Sequence, residues 1–79
     1  MTNKLTVYTQ PGCAPCKASK ARLDREGIPY TEIDVTTDDA AHARLRTAGL
    51  QQAPVFGWGG KLGTIADLPR IIREAKAAA

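Results

Sequence analysis

The sequence predicts an α/β protein, a four-stranded mixed sheet flanked by three helices in the order β-α-β-α-β-β-α. Three observations predict it. Leu5 to Val35 reads as strand, helix, strand within about thirty residues, the length of a βαβ unit with parallel pairing and a right-handed crossover. Gly59-Gly60 separates two short strand-like runs and supplies the positive φ angles of a two-residue hairpin turn. Leu68, Ile71, Ile72 and Ala75 then recur at helical spacing, the clearest amphipathic face in the chain.

Leu5-Thr6-Val7-Tyr8-Thr9 is rich in β-branched and aromatic residues and forms the first strand, which Pro11-Gly12 ends in a turn. From Ala14 to about Glu26 good helix formers follow, with Ala18, Ala21 and Leu23 expected on the buried side. Pro15 is tolerated because the first helical turn has N–H groups without intrahelical partners. Gly27 suits the C-terminal cap and Pro29 stops continuation. Tyr30 to Val35 is the second strand. Thr36 or Thr37 is expected to cap the second helix, where Asp38-Asp39 suits the positive N-terminal end. Ala41, Leu45 and Ala48 are its expected inner face, and Gly49 its end. Val55 to Trp58 and Lys61-Leu62-Gly63 form the third and fourth strands. Asp67 is expected to cap the last helix, and Ala77-Ala78-Ala79 to fray. Trp58 is read as a hairpin aromatic covering the sheet.

Seventy-nine residues without repeats, linker or composition shift are expected to form one domain spanning 1–79. No apolar run approaches the ~20 residues of a membrane span. Met1-Thr2-Asn3-Lys4 leads into the first strand with no signal-peptide core, so no membrane association and a cytoplasmic location are expected. The net charge of +3 is mild. Lys17, Lys20, Arg22, Arg25, Arg44 and Arg46 form solvated helix faces or a docking surface for an acidic protein. Nucleic-acid binding is not expected, because neither a dense basic face nor a base-stacking aromatic array is present. His42 receives no role beyond solvation.

Gln10-Pro11-Gly12-Cys13-Ala14-Pro15-Cys16-Lys17 holds both cysteines at the first strand-to-helix junction. Positions three apart on a helix are neighbours, so the two thiols can be free or bridged with little backbone movement. A ring this small stabilises a fold by only ~2 kcal/mol at most, and a bond contributing so little is more plausibly there to be broken. Zinc would need four ligands, whereas the chain has two cysteines and one histidine; metal shared between chains and a pair of buried structural thiols stay open beside redox chemistry. For thiol–disulfide exchange the position matters. The thiolate attacks, a free cysteine has pKa ~8.5, and unpaired N–H groups at a helix N-terminus favour the anion. Cys13, at the helix mouth, is the expected exposed nucleophile. Cys16, one turn in, is the expected resolving thiol. Lys17 adds positive charge, and Tyr8 and Thr9 are expected to flank the site.

These residues in this element order resemble the thioredoxin superfamily, and within it the glutaredoxin branch. Val7-Tyr8-Thr9-Gln10-Pro11-Gly12-Cys13 looks like the branch's opening, Ala53-Pro54-Val55 stands where it carries a cis-proline, and Gly63 through Leu68 matches its glycine-containing loop. The resemblance implies a thioredoxin fold and a redox-active Cys13–Cys16 disulfide with no bound cofactor. It also implies a substrate surface built from Tyr8, Pro15, Lys17, Ala53, Pro54, Val55, Gly63, Thr64 and Ile65. Glutathione-using glutaredoxins typically carry aspartate where this chain has Ala66 and threonine where it has Ala53. Cys16-Lys17-Ala18-Ser19-Lys20 and Gly49-Leu50-Gln51-Gln52-Ala53-Pro54-Val55 instead look like the NrdH-redoxins, from which Leu62-Gly63-Thr64-Ile65-Ala66-Asp67 departs. That likeness implies a monomer taking electrons from thioredoxin reductase and NADPH and passing them to ribonucleotide reductase. A glutathione-dependent glutaredoxin and a non-catalytic binding module are the alternatives.

Overall fold

Strand β1 (Leu5–Thr9) is buried on both faces, and the rest of the molecule is arranged around it. The computed structural model describes residues 5–50 and 52–78, so Met1 to Lys4, Gln51 and Ala79 lie outside the described residues. Successive side chains of a strand point to opposite faces. Leu5 and Val7 therefore enter one core with Leu23, Ile28, Phe56, Trp58, Leu68, Ile71 and Ile72. Tyr8 enters the other with Ala41, Leu45 and Val55.

The sheet order is β2-β1-β3-β4. β2 (Tyr30–Asp34) pairs with β1 in parallel, across the crossover made by α1 (Ala14–Arg25). β3 (Val55–Trp58) runs antiparallel to β1, and β4 (Lys61–Gly63) antiparallel to β3. Gly59 and Gly60 join them with φ of 59° and 79°, the conformation expected of the hairpin. α3 (Leu68–Ala78) shares the larger core with α1, while α2 (Asp39–Thr47) covers the opposite face. The register brings the Thr9 end of β1, the Val55 end of β3 and the Gly63 end of β4 to one edge of the sheet. The Trp58 indole N–H donates to Glu74 at 3.0 Å and ties the hairpin to α3. Among the described residues no helix is long and apolar enough to cross a membrane.

Five local expectations are corrected. The buried stripe of α1 is Cys16, Ser19 and Leu23, and Ala18 and Ala21 face solvent. Leu23 sets the phase of that helix, and a stripe through it at helical spacing passes through Ser19 and Cys16. Asp38, not Thr36 or Thr37, caps α2, its carboxylate accepting the Ala41 N–H at 2.9 Å. The threonines are held by Asp34 at the end of β2, whose side chain accepts the Thr36 N–H (2.8 Å) and hydroxyl (2.6 Å). Ala48 is the exposed C-cap of α2 and not part of its inner face. Asp67 lies in a single 3-10 turn, Ile65–Asp67, and reaches back to accept the Thr64 N–H at 2.9 Å. At the end of the chain, where fraying was expected, Ala77 and Ala78 belong to α3, and Ala79 lies outside the described residues.

Candidate active site at the start of helix α1

The turn at Pro11-Gly12 delivers the chain from β1 into α1 with Cys13 as the N-cap. Cys13 is extended (φ −92°, ψ 103°), and its sulfur accepts the Cys16 N–H at 3.1 Å while its carbonyl accepts the Lys17 N–H at 3.2 Å. The sulfur thus takes the place of the side-chain oxygen of a serine or aspartate cap, on N–H groups that favour negative charge. Cys13 and Cys16 are joined in a disulfide with Cα atoms 5.2 Å apart. Cys13 is 8% exposed and Cys16 2%. The expected order of shielding is present, but Cys13 is not an exposed residue: it lies against the Ala53 segment, its sulfur 3.8 Å from the Ala53 carbonyl oxygen. The Ala53–Pro54 peptide bond is cis, the isomer the resemblance implies.

Beside the disulfide is a shallow hollow of about 190 Å³ that also takes in Thr9, Lys17, Lys20 and Glu32. Glu32 accepts hydrogen bonds from the Lys20 ammonium at 2.8 Å and the Thr9 hydroxyl at 2.9 Å. The Lys20 bond, followed by that of Thr9, holds the Glu32 carboxyl below its ordinary range, and Glu32 in turn raises Lys20. A larger hollow of about 540 Å³ begins at Gln10 and Ala53 and runs across to His42, Leu45 and Arg46 of α2. Among the described residues, no three His, Cys, Asp or Glu side chains come together as a metal-holding group.

Of the nine expected substrate residues Pro54 is buried, and the other eight separate into three sets. Lys17 shares the smaller hollow with both cysteines, Ala53 lines the larger one, and Pro15 is exposed in the first turn of α1. Gly63, Thr64 and Ile65 line neither hollow, although the register puts Gly63 at the Val55 end of β3 and Thr64 and Ile65 follow it in the chain; Ile65 is 51% exposed. Tyr8 and Val55 are core residues, 5% and 1% exposed, and do not flank the site from its surface. Alternation explains Tyr8, which points away from the face of β1 that carries α1 and packs over Gly57, where a Cβ would lie 3.4 Å from its ring. Two residues were not singled out for the site by sequence reasoning. Glu32 could have been noticed as a charged residue beside the central strand. Ser19 is buried, and its hydroxyl has no hydrogen-bond partner, a circumstance that ordinarily costs about 1–3 kcal/mol.

A disulfide between neighbouring turns, seated on a helix N-terminus next to a cis-proline, on a four-stranded sheet with helices on both faces, defines a thioredoxin-fold redox protein. Residues 5–62 match the family model described as Glutaredoxin. The chain belongs to the glutaredoxin family of thiol–disulfide oxidoreductases. It is 31% identical over 62 residues to the glutaredoxin-like protein NrdH of Escherichia coli, covering 72% of this chain and 76% of that one. The gene 56 protein of Mycobacterium phage L5 is 45% identical over 38 residues, 48% of this chain and 37% of that protein. The matched region spans less than half the length of the phage relatives. Among solved structures, the NrdH-redoxin of Escherichia coli, for which a thioredoxin-like activity profile is described, superposes with a TM-score of 0.79 at 28% identity, over 89% of this chain and 92% of that one.

Proposed function

We propose that the protein is a cytoplasmic, monomeric dithiol electron carrier that reduces disulfides of protein targets, taking its electrons from thioredoxin reductase and NADPH. The observation that carries this reading is the Cys13 sulfur held on the first N–H groups of α1, bridged to a more shielded Cys16 and facing the Ala53 carbonyl. In the reduced protein the Cys13 thiolate attacks a target disulfide. A Cys13–target S–S bond forms, and the other target sulfur leaves as a thiolate that takes a proton from solvent. Cys16 then loses its proton and attacks Cys13, the mixed bond breaks, and the second target sulfur leaves. Two electrons have passed to the target, and the reductase restores the dithiol with two more.

Ala53, Pro54 and Val55 offer the backbone along which a target segment would lie, and Pro15, Lys17, Gly63, Thr64 and Ile65 would flank it. A polypeptide partner is supported by the exposed Ile65, two residues after β4, and by the hollow that continues from Ala53 to α2. Glutathione as reductant is disfavoured by the loop before α3. There residue 66 is alanine, and the neighbouring carboxylate of Asp67 is engaged by the Thr64 N–H at 2.9 Å and lies 3.7 Å from the Arg70 guanidinium. Likeness to NrdH-redoxin makes ribonucleotide reductase the target to assay first.

The test gives oxidised protein either thioredoxin reductase with NADPH, or glutathione with glutathione reductase and NADPH. NADPH consumption in the first arm alone is the expected result, and consumption only in the second overturns the assignment of the reductant. Retention of full activity by Cys13→Ser would instead identify a non-catalytic binding module.

A further inference from the structure

We infer that Ser19 is a positioning residue for the resolving step: its hydroxyl donates a hydrogen bond to the Cys16 sulfur when the disulfide is open and has no partner when it is closed. Cys16, Ser19 and Leu23 are the buried residues of α1, and Ser19 is 3% exposed. Residues three apart on a helix are neighbours, and helical side chains lean toward the N-terminus, so the Ser19 side chain leans toward the turn that carries Cys16. In the closed form the hydroxyl finds no partner, and it is the buried side-chain oxygen or nitrogen left unsatisfied among the described residues. A disulfide sulfur is a weak acceptor, whereas a thiolate accepts a charge-assisted bond.

Three of the other donors around the cysteines are already committed, and Lys17 is exposed to solvent. The Thr9 hydroxyl and the Lys20 ammonium both serve Glu32, at 2.9 and 2.8 Å. The Cys16 N–H serves the Cys13 sulfur. The charged groups facing the smaller hollow are Lys17, Lys20, Glu32 and Asp34. The two lysines favour the Cys16 thiolate, the two carboxylates oppose it, and the Lys20–Glu32 pair largely cancels. Ser19 supplies what these charges do not, a short-range donor from the buried side of the helix. Reduction opens the S–S bond, places the second sulfur where the hydroxyl can meet it, and satisfies an orphaned group. In the resolving step Cys16 forms its bond to Cys13 as the Cys13–target bond breaks and the target thiolate departs. Ser19 transfers no proton.

This rests on Cys16 being the resolving thiol, so the test reads the Ser19–Cys16 pair apart from turnover or choice of reductant. The Cys16 pKa is measured by thiolate absorbance in a Cys13→Ala background, with and without Ser19→Ala. The Cys13–Cys16 redox equilibrium is measured against a thiol couple in the parent, Ser19→Ala and Ser19→Thr proteins. Ser19→Ala is expected to raise the Cys16 pKa by about one unit and, measured at a pH high enough to ionise Cys16 in the parent, to shift the redox equilibrium about tenfold toward the disulfide, about 30 mV more negative. Its oxidised form should be at least as resistant to thermal unfolding as the parent's, and its reduced form less so. Ser19→Thr, which keeps a hydroxyl, should restore the parent's equilibrium. A Ser19→Ala protein within twofold of the parent in both pKa and equilibrium overturns the inference. So does equal stabilisation of the two redox forms, or a Ser19→Thr protein that tracks Ser19→Ala.

Discussion

For Cys13 and Cys16 the spacing showed thiols close enough to join in a ring too small to matter much for stability, and their place at a helix start together with the family resemblance favoured redox chemistry over metal or structural thiols. The division of labour proposed for them predicts distinct failures. Cys13→Ser should abolish reduction of a protein disulfide, while Cys16→Ser should accumulate a covalent adduct of protein and target visible by mass spectrometry. Tyr8 was harder to place, since a tyrosine next to an active-site turn suits either face and only the register of β1 against β3 puts it in the core. Glu32 could have been noticed as a charge beside the central strand, but nothing local to β2 says that Lys20 of α1 reaches it. Its carboxyl is held below the ordinary value of 4.5, by Lys20 first and Thr9 second. A carboxyl lowered on folding contributes stability that is complete above its unfolded pKa and lost as pH falls through the folded one. Wild type should therefore exceed Glu32→Gln in urea resistance near neutral pH, with the gap closing as pH drops below 4.5. Both partners are partly exposed, with side chains 27% and 43% accessible, so the gap should be small and should shrink further in salt.

The elements themselves were legible in order and type, and what escaped was how their ends are tied. Asp34 holds both threonines that follow it, so the cap of α2 passes to Asp38. Two side chains competing for one turn is a tertiary outcome that residue preferences do not rank. Asp38→Ala should cost about 1 kcal/mol by chemical unfolding, whereas Thr37→Ala, which removes no cap, should cost less. At the start of α3 a Cβ on Gly63 would lie 3.0 Å from the Asp67 carboxylate oxygen and 3.1 Å from its Cβ. Gly63→Ala should push that carboxylate off the Thr64 N–H and destabilise the protein by about 1–3 kcal/mol, again read by chemical unfolding. The phase of α1 was missed for a related reason. Alanine is small enough to face water at little cost, so Ala18 and Ala21 carried less information than the single Leu23.

Across the whole molecule the two faces of the sheet are unequally furnished. The face under α1 and α3 holds nine buried residues of the larger core, and the face under α2 only four. Local opening follows the thinner packing, so native-state hydrogen exchange should show α2 exchanging at lower free energy than α1 and β1. Leu45→Ala, which strips the larger of the two buried side chains of α2, should cost about 2–5 kcal/mol and bring that opening within reach of milder conditions. The sheet order leaves β2 and β4 as the outer strands. A thiol–disulfide oxidoreductase must not offer its borders as templates for a neighbour's chain, since unpaired strand edges are where aggregation begins. β4 is only three residues long, and β2 presents exposed Thr31 and Glu32 with Asp34 at its end, so both borders are poor docking rails for another strand.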